Sequence, residues 1–305
     1  MPLRRLRIRP EQDEYTPERG GRCKPGPGIV PGRIVLQPVL PVPLIFFEDE
    51  MAFSTAHCEG MLLPMATGIS AGVGAVAGMG LLAGGFAYAS LWPGSQLFGR
   101  TLIAPPRPGE LALTFDDGPN PVCTPRLLDM LASYQVRATF FLVGSYAEKE
   151  PALVGQIAAA GHLIGNHAWS HINLALARAS RIREELARTS QTLEQITGLP
   201  VGCFRPPFGA RRPCVLRAAR ELGMRPVLWN AMTADWKEAS ADLIAERLAA
   251  KIDRLERRGS AANIVLHDGS DRDQAANRQS SVAAAGQLIA QYKASHRFVT
   301  LDAWE

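Results

Sequence analysis

From about residue 110 to residue 301 the chain alternates short apolar runs with amphipathic stretches, and few folds satisfy that rhythm. The apolar runs at 111–115, 138–143, 163–166, 201–205, 226–229, 263–267 and 298–301 read as strands. The stretches near 123–134, 151–160, 175–197, 213–222, 240–258 and 276–293 read as helices. Ser240 or Asp242 is a candidate cap for the fifth helix, and Gly161, Gly223 and Gly259 follow the ends of three. A connection of helical length between strands lets them run parallel, so the alternation predicts an α/β architecture with a parallel sheet. Seven strand candidates predict a closed or partly closed barrel, in which chemistry sits at the C-terminal ends of the strands.

The residues before 110 differ. Residues 1–60 are rich in proline and glycine, open with Arg4, Arg5, Arg7 and Arg9, and close with Glu48, Asp49, Glu50 and Glu59. They carry no sustained period, so a disordered tail is expected. A misassigned start, with Met51, Met61 or Met65 as the true one, would explain the change in composition. Residues 60–99 contain no charged side chain, with Glu59 just before them and Arg100 just after. The apolar run 65–89 is long enough for a membrane span of roughly 20 residues, and its Gly-xxx-Gly steps suit close helix approach. Ala87-Tyr88-Ala89 has the form of a signal-cleavage site. The expected organisation is a tail over 1–60, a membrane-spanning or signal helix over 61–92, a linker over 93–107 and a catalytic domain over 108–305. The local charge bias around the span disfavours export of that domain, whereas its chemistry favours a position outside the cytoplasm.

The formal charge of +4 over 305 residues, with no basic cluster interleaved with aromatics in the folded part, gives nucleic-acid binding no support. Nothing in the sequence implies a protein partner. The five cysteines, Cys23, Cys58, Cys123, Cys203 and Cys214, form no CxxC pair. A cysteine-based zinc site is therefore not expected, and inert thiols are favoured over a Cys203–Cys214 bridge.

Several polar groups fall just after the strand candidates. Asp116 and Asp117 end the first, in Thr114-Phe115-Asp116-Asp117-Gly118-Pro119. Adjacent carboxylates in a tight turn point apart, so one can ligate a metal while the other faces a substrate, although Asp, Gly and Pro are also ordinary turn residues. His167 and His171 follow the third strand, four apart, a spacing that puts both on one face of a helical turn. Two imidazoles and a carboxylate leave coordination positions open, as in catalytic metal sites. His267, ending the sixth strand, can protonate a leaving group. In Arg205-Pro206-Pro207-Phe208-Gly209 the prolines fix an extended segment. That segment can aim the guanidinium inward and leave the Phe208 backbone N–H free for an oxyanion. Asp235 can orient His267 or pair with Arg205, and Trp236 can form an apolar or sugar-stacking wall. Each motif alone also reads as an ordinary turn, strand end or core residue.

Together, and in this order, the five motifs resemble those of the polysaccharide deacetylase family, also called NodB-homology or carbohydrate esterase family 4, over roughly 108–302. The resemblance implies a distorted (β/α) barrel, often seven-stranded, that removes N-acetyl or sometimes O-acetyl groups from sugars. It implies Asp117, His167 and His171 as metal ligands, Asp116 as general base and His267 as general acid. Asp235 would tune His267 and Arg205 restrain Asp116. The Phe208 amide would serve the oxyanion, and Trp236 and Leu266 would line the acetyl pocket. A His₂/carboxylate set suits Zn²⁺, with Co²⁺, Ni²⁺ and Mn²⁺ as alternatives. An acetylated amino-sugar glycan is the implied substrate. The chain departs from the family pattern at Ala168, where a Ser or Thr is usual, at Phe208 in place of the commoner Tyr, and at Met232 in place of an Asp. The competing readings are a membrane-tethered glycan-binding protein with a vestigial site, and a deacylase acting on an O-acetyl ester or small amide.

Overall fold

The computed structural model describes residues 70–304. The expected tail, the three alternative starts, Cys23, Cys58 and the beginning of the apolar run lie outside these residues. The first described element is helix α1, Ser70–Leu91. Among the described residues no helix is long and apolar enough to cross a membrane, so the expected span over 65–89 gains no support. The end of α1 packs on the α/β unit: Ala89 and Ser90 are buried, while Leu82, Phe86 and Tyr88 are exposed.

Eight strands follow: β1 Glu110–Gly118, β2 Thr139–Leu142, β3 Leu163–Asn166, β4 Cys203–Phe204, β5 Arg225–Pro226, β6 Ala231–Met232, β7 Ala262–His267 and β8 Arg297–Phe298. Between them run α2 Cys123–Tyr134, α3 Gly144–Ala147, α4 Pro151–Ala159, α5 Ala179–Thr197, α6 Pro213–Glu221, α7 Ala241–Arg257 and α8 Gln279–Tyr292. The sheet order is β5-β4-β3-β2-β1-β7-β6, with β8 added to the start of β1. Every strand pair is parallel. Ser240 caps α7 by accepting the Leu243 N–H at 3.3 Å. Gly161, Gly223 and Gly259 take the left-handed conformation that ends their helices.

The architecture is a distorted, curled α/β half-barrel. Among the described residues the end strands β5 and β6 do not pair with each other. The segment at Leu102 lies beside β5 instead: the Leu102 N–H donates to the Pro226 carbonyl at 2.9 Å, and its carbonyl accepts from the Leu228 N–H at 2.8 Å. The Asn230 side chain extends the pairing with β7. It accepts from the Asn263 N–H at 2.8 Å and donates to the Ala261 carbonyl at 2.9 Å. Sequence pattern predicted longer β4, β5 and β8, and it missed β6 and α3, which are too short to show a period.

Strand alternation sorts the side chains of β1 into two layers. Leu111, Leu113 and Phe115 join the main core against the helices, whereas Ala112 joins a smaller inner cluster with Phe141, Cys203, Val227 and Trp304. Each fully buried leucine of this core contributes roughly 1.5–3 kcal/mol. Thr114 and Asp116 share the parity of Ala112, so the same alternation directs Asp116 inward at the strand's C-terminal end. Cys123, Cys203 and Cys214 are free thiols, so no Cys203–Cys214 bridge exists.

Candidate active site

The two adjacent aspartates diverge because the backbone changes hand between them. Asp116 keeps the regular phase of β1, paired in register with His267 and Phe141. Asp117 has φ 70° and coincides with a shift in register between Asp116 and Gly118. Its carboxylate consequently leaves the strand alternation and meets the histidines. The turn is tight on its other side too. A Cβ at residue 269 would sit 1.9 Å from the Asp117 carbonyl oxygen, so only glycine fits there.

His167 and His171 do not share a helical turn. They flank an irregular loop in which Ala168 (φ 64°) and His171 (φ 52°) are left-handed. The expected juxtaposition survives by a different route, with the two rings 4.9 Å apart. His167 Nδ1 lies 2.7 Å from the Arg205 carbonyl. A carbonyl can only accept, so Nδ1 is the donor there and Nε2 is the nitrogen that faces Asp117. His167 Nε2 and His171 Nε2 lie 3.3 and 2.9 Å from Asp117 Oδ1.

The loop lacks the hydroxyl usual at Ala168, and other groups hold it. The Ala168 N–H donates to Asn166 Oδ1 at 2.8 Å, and its carbonyl accepts from Gly144 N–H at 3.0 Å. Ser170 donates twice to Glu185, through its N–H at 2.8 Å and its hydroxyl at 2.7 Å. Glu185 is a buried carboxylate on α5, further tied to Arg181 at 2.6 Å. Sequence reading missed Glu185. Its signal was a charge inside the apolar stripe Ile182, Leu186, Leu193 that α5 turns to the core.

Arg205 is fully buried beneath this site. One guanidinium nitrogen donates to both Asp116 Oδ1 and Thr114 Oγ1 at 2.7 Å, and the other donates to Asn263 Oδ1 at 3.2 Å. The guanidinium also lies 4.1 Å over the Phe141 ring. On the opposite side, Asp235 grips His267 and not Arg205. Asp235 Oδ1 meets His267 Nδ1 at 2.9 Å, while Oδ2 accepts the His267 N–H at 2.9 Å and the Ser281 hydroxyl at 2.7 Å. Ser281, buried on α8, gave no sequence signal. Burial alone would lower the His267 pKa. The charge and hydrogen bond of Asp235, with Asp117 and Asp116 behind, push it up to about 9. Asp268, next along the chain, is pushed up to about 7 by burial and by the same two carboxylates, against the hydrogen bond from Thr124.

Trp236 stands edge-on to His267 at 4.9 Å, and Phe208, left-handed at φ 59°, stands edge-on to His171 at 4.7 Å. Leu266 is not brought to the site. It lies fully buried in the main core beside Phe115, and strand alternation puts it on the face of β7 opposite His267. Val265, two residues before His267, shares the face of that histidine.

The donor atoms of Asp117, His167 and His171 lie within 4.8 Å of one another, and all three residues are buried. Asp117 Oδ1 is a buried oxygen with no well-formed hydrogen bond, and His171 Nδ1 has no partner among the described residues. Burial would raise the Asp117 pKa. Contacts with His167 and His171, and the charges of His171 and His267, hold it well below the usual carboxylate range. An anionic carboxylate and two imidazole nitrogens aimed at one point, with the central oxygen poorly satisfied, fit a divalent cation.

The model of the polysaccharide deacetylase family matches residues 104–227. The chain is 38% identical over 193 residues to a peptidoglycan-N-acetylglucosamine deacetylase of Bacillus cereus, a match covering 63% of this chain and 66% of that protein. Against a chitooligosaccharide deacetylase of Sinorhizobium fredii it is 35% identical, covering 58% of this chain and 82% of the relative. A crystal structure of a peptidoglycan N-acetylglucosamine deacetylase superposes with a TM-score of 0.59 at 36% identity, covering 67% of this chain and 91% of the other. On sequence, fold and strand-end motifs alike, the chain belongs to the polysaccharide deacetylase family.

Proposed function

We propose that this protein is a metal-dependent hydrolase that removes N-acetyl groups from an amino-sugar polymer or oligomer of peptidoglycan or chitin type. One observation carries the reading: Asp117, His167 and His171 converge on a point flanked by two separately restrained proton-transfer groups, Asp116 and His267. The named activities of the relatives support it.

Asp117, His167 and His171 would hold the metal. When bound, a zinc-like cation supplies an acidified water and a polarised acetyl carbonyl, both of which an unreactive amide needs. Asp116, fixed at 2.7 Å by Arg205, accepts the proton of the attacking water. The Phe208 N–H donates to the carbonyl oxygen as it gains negative charge. His267, kept protonated by Asp235, delivers a proton to the departing nitrogen, which cannot leave as an anion. Trp236 and the face of β7 that carries Val265 bound the space for the acetyl methyl group. Acetate and a free amino sugar result. Such polymers lie outside the cytoplasm, and the reading carries the catalytic unit there.

The test is acetate release by the purified full chain from a panel of peptidoglycan fragments, chitooligosaccharides and O-acetylated glycans, with metal analysis of the same sample. Release from the N-acetylated members with about one metal per chain is expected. Glycan binding without acetate release in zinc, cobalt, nickel and manganese would establish a vestigial site instead.

A further inference from the structure

Arg211 lies two residues beyond the loop Pro207–Gly209 and is 1% exposed. Among the described residues it makes no ion pair. Its charge is solvated by backbone carbonyls alone. Nη1 donates to the Ser90 and Gly209 carbonyls, both at 3.1 Å, and Nη2 donates to those of Trp92 at 2.6 Å and Ser95 at 2.9 Å. The Arg211 backbone N–H also donates to the Ser90 carbonyl at 3.1 Å. A buried guanidinium is costly unless its donors are filled, so the carbonyls around it are fixed with it. Two of them, Ser90 and Trp92, belong to the end of α1 and the turn after it, where a cation also meets the negative end of the helix.

Ser95 lies a little further along the same segment, and the fourth carbonyl, that of Gly209, belongs to the catalytic loop. Gly209 follows Phe208 directly, and both residues are left-handed, at φ 65° and 59°. For Phe208 that conformation is strained and persists only where its surroundings over-determine it. The supports are few. The Gly209 N–H bonds the Pro206 carbonyl at 2.9 Å and the Ala210 N–H bonds the Pro207 carbonyl at 3.0 Å. The Trp229 indole closes on Gly209, at 2.8 Å from where a Cβ would stand. Arg211 supplies a further restraint, and its hydrogen bonds tie the loop to residues 90–95. Those residues precede the stretch 104–227 matched by the family model.

We propose that Arg211 is a positioning residue for deacetylation, bolting the segment 90–95 to the loop that presents the Phe208 N–H. The inference rests on the deacetylase reading, in which that N–H meets the developing oxyanion. Without the bolt Phe208 and Gly209 are free to relax from their left-handed conformation, and the donor loses its aim. Asp117, His167 and His171 have their own supports and keep theirs. Complete loss of an oxyanion donor costs about 10²–10³ in rate, so a misaimed one is expected to cost about tenfold or more.

The test uses the full chain with Arg211→Met and Arg211→Lys. For Arg211→Met the expected result is a kcat lowered about tenfold or more on a chitooligosaccharide, with KM within about threefold and metal content unchanged. Arg211→Lys should fall between it and the wild type, because an ammonium reaches fewer of the four carbonyls. Hydrogen exchange should quicken together in peptides covering 88–96 and 205–211. If Arg211→Met aggregates, Arg211→Lys carries the same readouts. A wild-type kcat in the variant overturns the proposal, and so does exchange that quickens in 88–96 alone. Should the wild type itself release no acetate, the deacetylase reading falls, and the exchange experiment still decides whether Arg211 couples the two segments.

Discussion

The candidate metal half of the site, with Asp117, His167 and His171, and the proposed donor half, with His267, are held by different means. Asp117, Ala168 and His171 all have positive φ, so on the metal half an irregular backbone aims the side chains. Its supports arrive from outside, through Asn166 and Glu185. On the donor half, His267 simply ends the regular strand β7, and Asp235 clamps both its ring and its N–H. A strained loop needs over-determination to persist, whereas a strand end needs only a partner that fixes orientation and charge. Damage to the first half should therefore appear as lost metal, and damage to the second as a changed pH profile.

Asp116 belongs to neither support system, and Asp116→Asn should have the largest effect. Acetate release should fall by about 10²–10⁴-fold, the range for a general base, with metal content unchanged. Isotope-release assays and metal analysis on one sample check both. Loss of metal in this variant would show that Asp116 is a ligand and that the two halves are not separable.

Glu185→Ala tests the loop. Removing the carboxylate strands two Ser170 donors, and supports of this kind typically change metal affinity by about 10–100-fold. Chelator competition should show weaker metal binding, and saturating metal should restore most of the kcat. A kcat that stays low at saturation would mean that Glu185 does more than hold the ligand loop.

Asp235→Asn tests the donor half. The His267 pKa lies above its ordinary value, at about 9, and Asp235 is the main cause of the rise, opposing burial. The proton donor is present below the pKa and lost above it, so activity should decline on the alkaline side. A cation bound at Asp117 would move that limb downward from 9. In Asp235→Asn burial is left less opposed, the pKa falls, and the alkaline limb moves further toward acid. A limb that moves by about one pH unit lowers activity on its alkaline side by about tenfold. An unmoved limb would remove His267 from the donor role. Metal content should not change.

The contrast between the halves also marks what the sequence made legible. The β7 half could be read directly: an apolar run, then His267, with Asp235 after another strand candidate. Its identity needed no unusual backbone. On the metal half the ligand types were visible in the spacing of His167 and His171, but the helical turn inferred from that spacing was wrong. Left-handed φ values at non-glycine residues leave only a faint mark in an amino-acid pattern, an enrichment in Asp, Asn and His. Glu185 and Ser281 escaped because their roles come from tertiary contact with a loop and a turn 15 and 46 residues away. Leu266 was misplaced by one residue of strand phase, which flips a side chain to the other face. The short strands β4, β5 and β6 were hard to delimit because two-residue pairings carry no period.

Ala168→Ser is expected to have the smallest effect and asks whether the loop is already satisfied. Ala168 is fully buried, its N–H is committed to Asn166 and its carbonyl to Gly144. A hydroxyl placed there competes for partners that are taken. Left unpaired it costs about 1–3 kcal/mol, which a thermal or denaturant midpoint would register as a modest loss. Metal affinity should change less than about threefold, because Glu185 and Asn166 already hold the loop, and a tenfold change is only about 1.4 kcal/mol. A large gain in affinity would show instead that the ligand loop of this chain is slack, and that the buried carboxylate on α5 does not stand in for the hydroxyl expected there from the motif.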